Sequence, residues 1–329
     1  MDVKKLLSEK KAPVEAVIGE YTSNPNPKVR EMLSHPFKAG GKRVRPALLL
    51  LSCEAVGGDP QKALPAAASV EILHTFTLVH DDIMDHDLTR RGQQTVHARW
   101  GEEMGIVVGD TLYSIAFKAL MDCRKNGVPE KNIIEAFEVF TWASIKLHQG
   151  QIMDMLFEER PNVTVDEYLD MVDKKTGALI EASVRIGSAI GGGTKEQSEA
   201  LGIFGSRIGT AFQIKDDVLG LTADESELGK PVGSDIRRGK RNILISHALA
   251  HAKGTPLRTL KAALKNADAP DEEINEAIQI IKDAGSFAYA EKLENKLYEE
   301  ALAALRTLPP SSARDGIEAI GDFIIKRSY

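Results

Sequence analysis

Apolar residues recur along this chain at helical intervals. In residues 64–79, Ala68, Ile72, Phe76 and Val79 lie three or four positions apart, and residues 106–120 and 133–145 repeat the spacing. A period near 3.6 puts such positions on one helix face. No proline falls between Pro65 and Pro129, or between Pro161 and Pro231. Proline lacks the N–H and clashes with the preceding turn, so windows without it can hold several helices. The two-residue alternation of strands is scarce. Breaks fall at Gly57-Gly58-Asp59-Pro60, Asn126-Gly127-Val128-Pro129, Arg160-Pro161-Asn162, Gly191-Gly192-Gly193, Gly254-Thr255-Pro256 and Pro309-Pro310. No fixed period repeats and no low-complexity linker divides the chain. The pattern predicts an all-α fold, one domain over residues 1–329, with ten or more helices and central helices apolar on more than one side.

Composition narrows the function classes. The chain has 329 residues, 42 Lys+Arg against 48 Asp+Glu, and a net charge of −6. That balance offers no global attraction to nucleic acid, so anionic partners must be met by local basic sites. The length is ample for a hydrophobic core without disulfides. Cys53 and Cys123 form no CxxC or Cys/His pattern, which suits a reducing, cytoplasmic setting. The N-terminus, MDVKKLLSEKK, has no hydrophobic run behind it. No stretch reads as the roughly 20 apolar residues of a membrane span, so stable insertion is not expected.

The sharpest chemical signal is EILHTFTLVHDDIMD, residues 71–85. Asp81 and Asp85 are four apart and project from one face, with Asp82 one position round. Like charges at this spacing destabilise a bare helix, more so when desolvated. The run is either a solvated acidic helix end or a site for a bound cation. Carboxylate oxygens without thiolate suit a hard ion such as Mg²⁺, which keeps waters and is shared with substrate phosphates. His80 and His86 flank the aspartates without the ligand spacing of a zinc site.

A second pair, Asp216-Asp217 in FQIKDDVL, sits in a similar apolar context. Glycine-associated basic segments accompany both: GGKRVRP at 40–46, Arg90-Arg91-Gly92, Lys174-Lys175-Thr176-Gly177, Gly229-Lys230-Pro231 and RRGK at 237–240. Two aspartate pairs and five such segments argue for a polyanionic phosphate substrate bridged by Mg²⁺. There is no GxxxxGK[ST] and no GxGxxG after a strand, so the phosphate belongs to a non-nucleotide metabolite. The apolar helix leading from Asp81 implies a greasy tail beside the charged head.

These segments, in order, resemble the trans-isoprenyl diphosphate synthases, or polyprenyl synthetases, over nearly the whole chain. The matching motifs are GGKRVRP, HDDIMDHDLTRRG at 80–92, GDTL at 109–112, Gly150-Gln151 followed by Asp154, KTGAL at 175–179, residues 212–217, and GKPVGSDIRRGK at 229–240. The resemblance implies an isoprenoid-synthase bundle around a central cavity, and head-to-tail condensation of isopentenyl diphosphate with an allylic diphosphate. It implies three Mg²⁺ held by Asp81 and Asp85, with Asp82 in support, and by Asp216, with Asp217 behind it. Arg90, Lys175, Lys230 and Lys240 would neutralise the allylic diphosphate. Thr176, Gln213 and the Lys175 carbonyl would turn dipoles toward the allylic cation. Isopentenyl diphosphate would take a metal-free pocket of Lys42, Arg45, His74 and Arg91; His74 could instead be a satisfied core histidine. The second motif departs from the family's DDxxD by ending in Gly220, which is expected to remove a water-mediated contact and not activity.

In the family, residues four and five before the first motif limit product length. Here they are Thr77 and Phe76, one aromatic without an insertion, the pattern associated with geranylgeranyl diphosphate; Phe76 is expected on roughly the Asp81 face. Farnesyl diphosphate or a mixture is the alternative product. A terpene cyclase would not need Lys42, Arg45 and Arg91, and a non-catalytic partner subunit would not need both aspartate sites. A homodimer is a further implication of the resemblance.

Overall fold

Helix starts follow the polar punctuation. Asp2 accepts from the Lys5 N–H to begin α1 (Val3–Tyr21), and Asn26 caps α2 (Pro27–Lys38). Each cap satisfies one of the four amides that a helix start leaves unpaired. The computed structural model describes residues 1–222 and 233–326. Then come α3 (Val44–Ala55), α4 (Leu64–Met84), a hairpin of β1 (Thr89–Arg90) and β2 (Gln93–Gln94), α5 (Val96–Trp100), α6 (Glu102–Met121) and α7 (Glu130–Glu158). The remainder is α8 (Val165–Val172), a π-helical turn (Asp173–Gly177), α9 (Ala178–Gly191), α10 (Lys195–Thr222), α11 (Ser234–Arg238), α12 (Ile243–His251), α13 (Gly254–Ala263), α14 (Asp271–Asp283), α15 (Ser286–Leu305) and α16 (Ser312–Ile325). The fold is all-α, as expected. Pro13 and Pro36 lie inside α1 and α2, so proline marks helix limits only over the long proline-free windows.

The fold comprises two compact units. The first holds residues 1–142, 182–202 and 305–320. Its centre is α4 against α6. Ala66 to Leu73 of α4 are buried, and α6 returns Gly105, Val108, Gly109, Leu112, Ala116 and Ala119. Small residues bring the two backbones close, and the buried Ser69 hydroxyl donates to the Ala116 carbonyl at 2.7 Å. The second unit holds residues 143–181, 203–304 and 321–329. Its core draws on Ile208, Ile214, Ile243, Leu244, Ile245, Leu260, Ile274 and Ile281, each at most 2% exposed. Burying each such side chain contributes roughly 1.5–3 kcal/mol.

One expectation needs correcting. The helical stretch Glu102–Asn126 is long and apolar enough to cross a membrane by length and composition, with a mean hydropathy of 1.3. Part of that apolarity is the face that α6 lays on α4, while Ile106, Val107 and Met121 stay exposed.

Candidate active site

In the first unit, α4 carries the first aspartate motif at its C-terminal end, where the Asp85 amide bonds to the Asp81 carbonyl at 2.8 Å. Asp81 and Asp85 are half-buried; Asp82 is buried, and its Oδ1 accepts from Arg90 Nε at 2.6 Å. Burial pushes the Asp82 carboxyl up, to about 6, against the pull of Arg90. Asp82 is thus turned inward onto Arg90, while the other two carboxylates share the helix face. Among the described residues no three His, Cys, Asp or Glu converge on a common point. The donor set fits a hard ion completed by oxygens of a ligand, as Mg²⁺ prefers.

The hairpin places the two arginines. Register pairs Thr89 with Gln94 and Arg90 with Gln93, leaving Arg91-Gly92 as the turn. Both have positive φ, 51° and 77°, the conformation a tight two-residue hairpin demands. Arg91 accepts the strain of a left-handed backbone, and its guanidinium donates to the Gly40 carbonyl at 2.5 Å.

Beside it lies the cationic cluster predicted from GGKRVRP. His74 is half-buried, and burial and then Arg45, Arg91, Arg90 and Arg43 hold its pKa well below 6.5. The Arg45 Nε is buried with no hydrogen-bond partner among the described residues, and Lys42 is exposed. Two residues given no role in the sequence reading organise this cluster. Glu71, 5% exposed, accepts from Arg43 Nη1 at 2.8 Å, and its charge also favours Arg45 and Arg91. Arg43, with φ 52°, adds Glu15 and the carbonyls of Gly40 and Phe37. The signal for Glu71 was present: an acidic residue three before His74 in an otherwise apolar helix.

The chain-length pair divides. Thr77 bonds back to the His74 carbonyl at 2.8 Å and stays near the Asp81 face. Phe76 does not, contrary to expectation, because at about 100° per residue five positions leave it about 140° away. It packs on His80 at 4.8 Å and on Tyr113 of α6 at 5.0 Å. From there the rings continue through Phe117 to Phe140. Phe76 is thus the first member of an aromatic series and not a lone ring. Gly109 is explained too: a Cβ there would lie 2.2 Å from His80 Nε2.

In the second unit, the π-helical turn Asp173–Gly177 presents Lys175 and Thr176. Such turns are rare and frequently accompany functional sites. Gly150 of α7 makes room for it, since a Cβ there would sit 2.3 Å from the Lys175 nitrogen. Lys175 and Lys240 both reach the buried Asp154, at 2.6 and 3.1 Å, and Lys240 also meets Glu158 at 2.6 Å. Burial alone would raise the Asp154 pKa; the two lysines overcome it and hold the carboxyl below its ordinary value.

Thr176 Oγ1 donates to Gln213 Oε1 at 3.1 Å, and Gln213 Nε2 donates to Asp217 Oδ1 at 3.0 Å. Asp217, buried, also accepts from the Tyr168 hydroxyl and from the Ile243 amide that opens α12. Burial pushes Asp217 up to about 7 against these donors. Asp216, half-buried, is the member of the pair not enclosed by that network. A Cβ at Gly220 would lie 3.8 Å from Asp235 Oδ2, so an aspartate there would meet a like charge. Lys230, expected among the cations of this unit, lies outside the described residues.

Comparisons with known proteins show which family the chain resembles. A family model described as polyprenyl synthetase matches residues 26–281. A geranylgeranyl diphosphate synthase of Sulfolobus acidocaldarius is 43% identical over 95% of both chains. A geranylfarnesyl diphosphate synthase of Aeropyrum pernix is 41% identical over 89% of this chain and 92% of its own. The crystal structure of a geranylgeranyl pyrophosphate synthetase from Pyrococcus horikoshii superposes with a TM-score of 0.94 at 41% identity, covering 99% of each chain.

Proposed function

The chain belongs to the polyprenyl synthetase family, and we propose that it condenses isopentenyl diphosphate head-to-tail with allylic diphosphates to a short-chain trans-prenyl diphosphate, with geranylgeranyl diphosphate as the main product. The observation that carries the reading is the composition of one α4 face. His74, neutral among arginines, lies about two turns from Asp81 and about three from Asp85 on it. One diphosphate pocket without metal beside one that needs a cation is what a two-diphosphate condensation requires. A terpene cyclase has no use for the former.

In this reading Lys42, Arg45, His74 and Arg91 bind the isopentenyl diphosphate. The buried Nε of Arg45 and the neutral His74 supply donors there without overfilling the pocket with charge. Asp81, Asp85 and Asp216 would hold the divalent metal, proposed as three Mg²⁺, with Asp82 and Asp217 behind them. When bound, the metal neutralises the allylic diphosphate as it leaves. Arg90, Lys175, Lys230 and Lys240 add positive charge at the same leaving group. The allylic C–O bond breaks with its electron pair on the diphosphate. Thr176, Gln213 and the Lys175 carbonyl turn negative dipole ends toward the resulting cation. The isopentenyl double bond then attacks, a C–C bond forms, and a proton passes to the departing pyrophosphate.

Homodimer formation and a cytoplasmic location belong to the same proposal, supported by the family resemblance and by two free, buried cysteines. The identities of the relatives support a C20 product and leave a C25 neighbour close by, so product length is the point to test. Incubation with isopentenyl diphosphate and dimethylallyl, geranyl or farnesyl diphosphate in parallel, followed by chromatography of the dephosphorylated alcohols, is expected to give geranylgeraniol from all three. Asp81→Asn should abolish condensation with helical circular dichroism unchanged; retained turnover at saturating Mg²⁺ would remove Asp81 from the metal site.

A further inference from the structure

Tyr168 is 1% exposed and among the largest fully buried side chains, yet none of the roles above uses it. Its phenol enters a continuous network. The hydroxyl donates to Asp217 Oδ2. The Ile243 amide donates to the same oxygen at 3.2 Å. Gln213 Nε2 donates to Asp217 Oδ1 at 3.0 Å, and Gln213 Oε1 accepts from Thr176 Oγ1 at 3.1 Å. Both Asp217 oxygens act as acceptors here, Oδ2 for the Tyr168 hydroxyl and the Ile243 amide and Oδ1 for Gln213 Nε2, so the Gln213 amide stands with its NH₂ toward Asp217 and its oxygen toward Thr176. What fixes Asp217 is the pair of donors on its far oxygen, one from the start of α12 and one from Tyr168.

We infer that Tyr168 is a positioning residue for the prenyl transfer, holding Asp217 so that the Gln213 amide keeps its oxygen on the Thr176 side. This rests on the proposed reaction, in which that oxygen faces a developing positive charge. Without the phenol donor, Asp217 Oδ2 keeps the Ile243 amide alone of these two donors, and the Gln213 amide can turn. A turned amide would direct N–H groups at the cation, which lowers the rate of ionisation and leaves diphosphate binding alone.

Tyr168→Phe removes one oxygen and keeps the ring. With isopentenyl and farnesyl diphosphates, kcat is expected to fall about tenfold or more, the loss typical of one hydrogen bond to a charged group. The KM values should stay within about twofold. In a Gln213→Ala background the same change should alter kcat by less than about twofold, because the residue it acts through is gone. Equal losses in both backgrounds, or unchanged kcat beside an active wild type, would overturn the inference. A wild type without condensation would instead overturn the reaction reading. A measurement on the wild type covers poor folding of the variant. With ¹⁵N-glutamine labelling, the Gln213 side-chain amide, assigned by its loss in Gln213→Ala, should exchange far more slowly than solvated amides. Exchange at the solvated rate would show that Asp217 does not hold it.

Discussion

Asp154→Asn tests how the second unit keeps its cations in place. The substitution preserves volume and removes the charge that Lys175 and Lys240 share at 2.6 and 3.1 Å. Removing one partner of a buried pair costs about 3–5 kcal/mol. Here the lysine side chains keep 30% and 19% exposure, and Lys240 retains Glu158 at 2.6 Å, which argues for a loss of about 2 kcal/mol. At about 2.1 cal/mol/K per residue, 329 residues give an unfolding entropy of about 0.7 kcal/mol/K. The Tm should therefore fall by about 3 °C. The assay is thermal unfolding of both proteins with and without Mg²⁺ and inorganic pyrophosphate. If a diphosphate takes over the lysines, it supplies the missing negative charge and the gap should close at saturation. A gap that persists undiminished would mean that the lysines need Asp154 in both states, and the idea of a carboxylate standing in for substrate would be wrong.

Three further outcomes are expected. Phe76→Ala should lengthen the product and Thr77→Phe should shorten it, read by chromatography of the alcohols; an unchanged distribution would remove the aromatic series from length control. Gly109→Ala puts a methyl group 2.2 Å from the His80 ring and should lower both Tm and condensation, whereas Gly127→Ala, where a Cβ meets nothing, should cost only the strain of its left-handed backbone. His247, buried and stacked on His251 and Tyr289, has its pKa lowered by burial and then by His251. The unfolded chain thus binds the proton more readily, so stability should be full above about pH 6.5 and decline as pH falls through 6.5 toward the depressed native value; His247→Gln should flatten that slope in melts taken from pH 8 to 5.

The helices and the order of the motifs were legible because hydrophobic period and proline-free windows act locally, and so were the residues of both aspartate motifs. What the chain did not disclose are side chains whose meaning depends on a partner far along it. Asp154 acquires its role only when Lys240, 86 positions on, arrives beside it. Tyr168 reads as core until Asp217 lies across from its hydroxyl. Phe76 illustrates a different failure: counting positions from Asp81 suggested a shared face, while the helical angle turned the ring toward α6. Gly109 and Gly150 were matched as motif letters, and the close approach that requires each became apparent only with His80 and the Lys175 backbone in place.

Taken together, the three buried acids of the cationic clusters follow one rule. Glu71 stands with Arg43, Asp82 with Arg90, and Asp154 with Lys175 and Lys240. On the proposed function these clustered cations wait for a diphosphate; until it comes they repel one another, and leaving such charges desolvated and unpaired is costly. A carboxylate at the base of each cluster offsets that cost and holds the cations in a fixed spacing before the ligand comes. The arrangement also limits affinity, because the arriving diphosphate competes with a charge already there. A chain that must release pyrophosphate after every condensation gains from that limit: a site of bare cations would bind the leaving product about as well as the substrate. Neutralising Asp154 should therefore tighten pyrophosphate inhibition while weakening the free fold, two effects of opposite sign from one change.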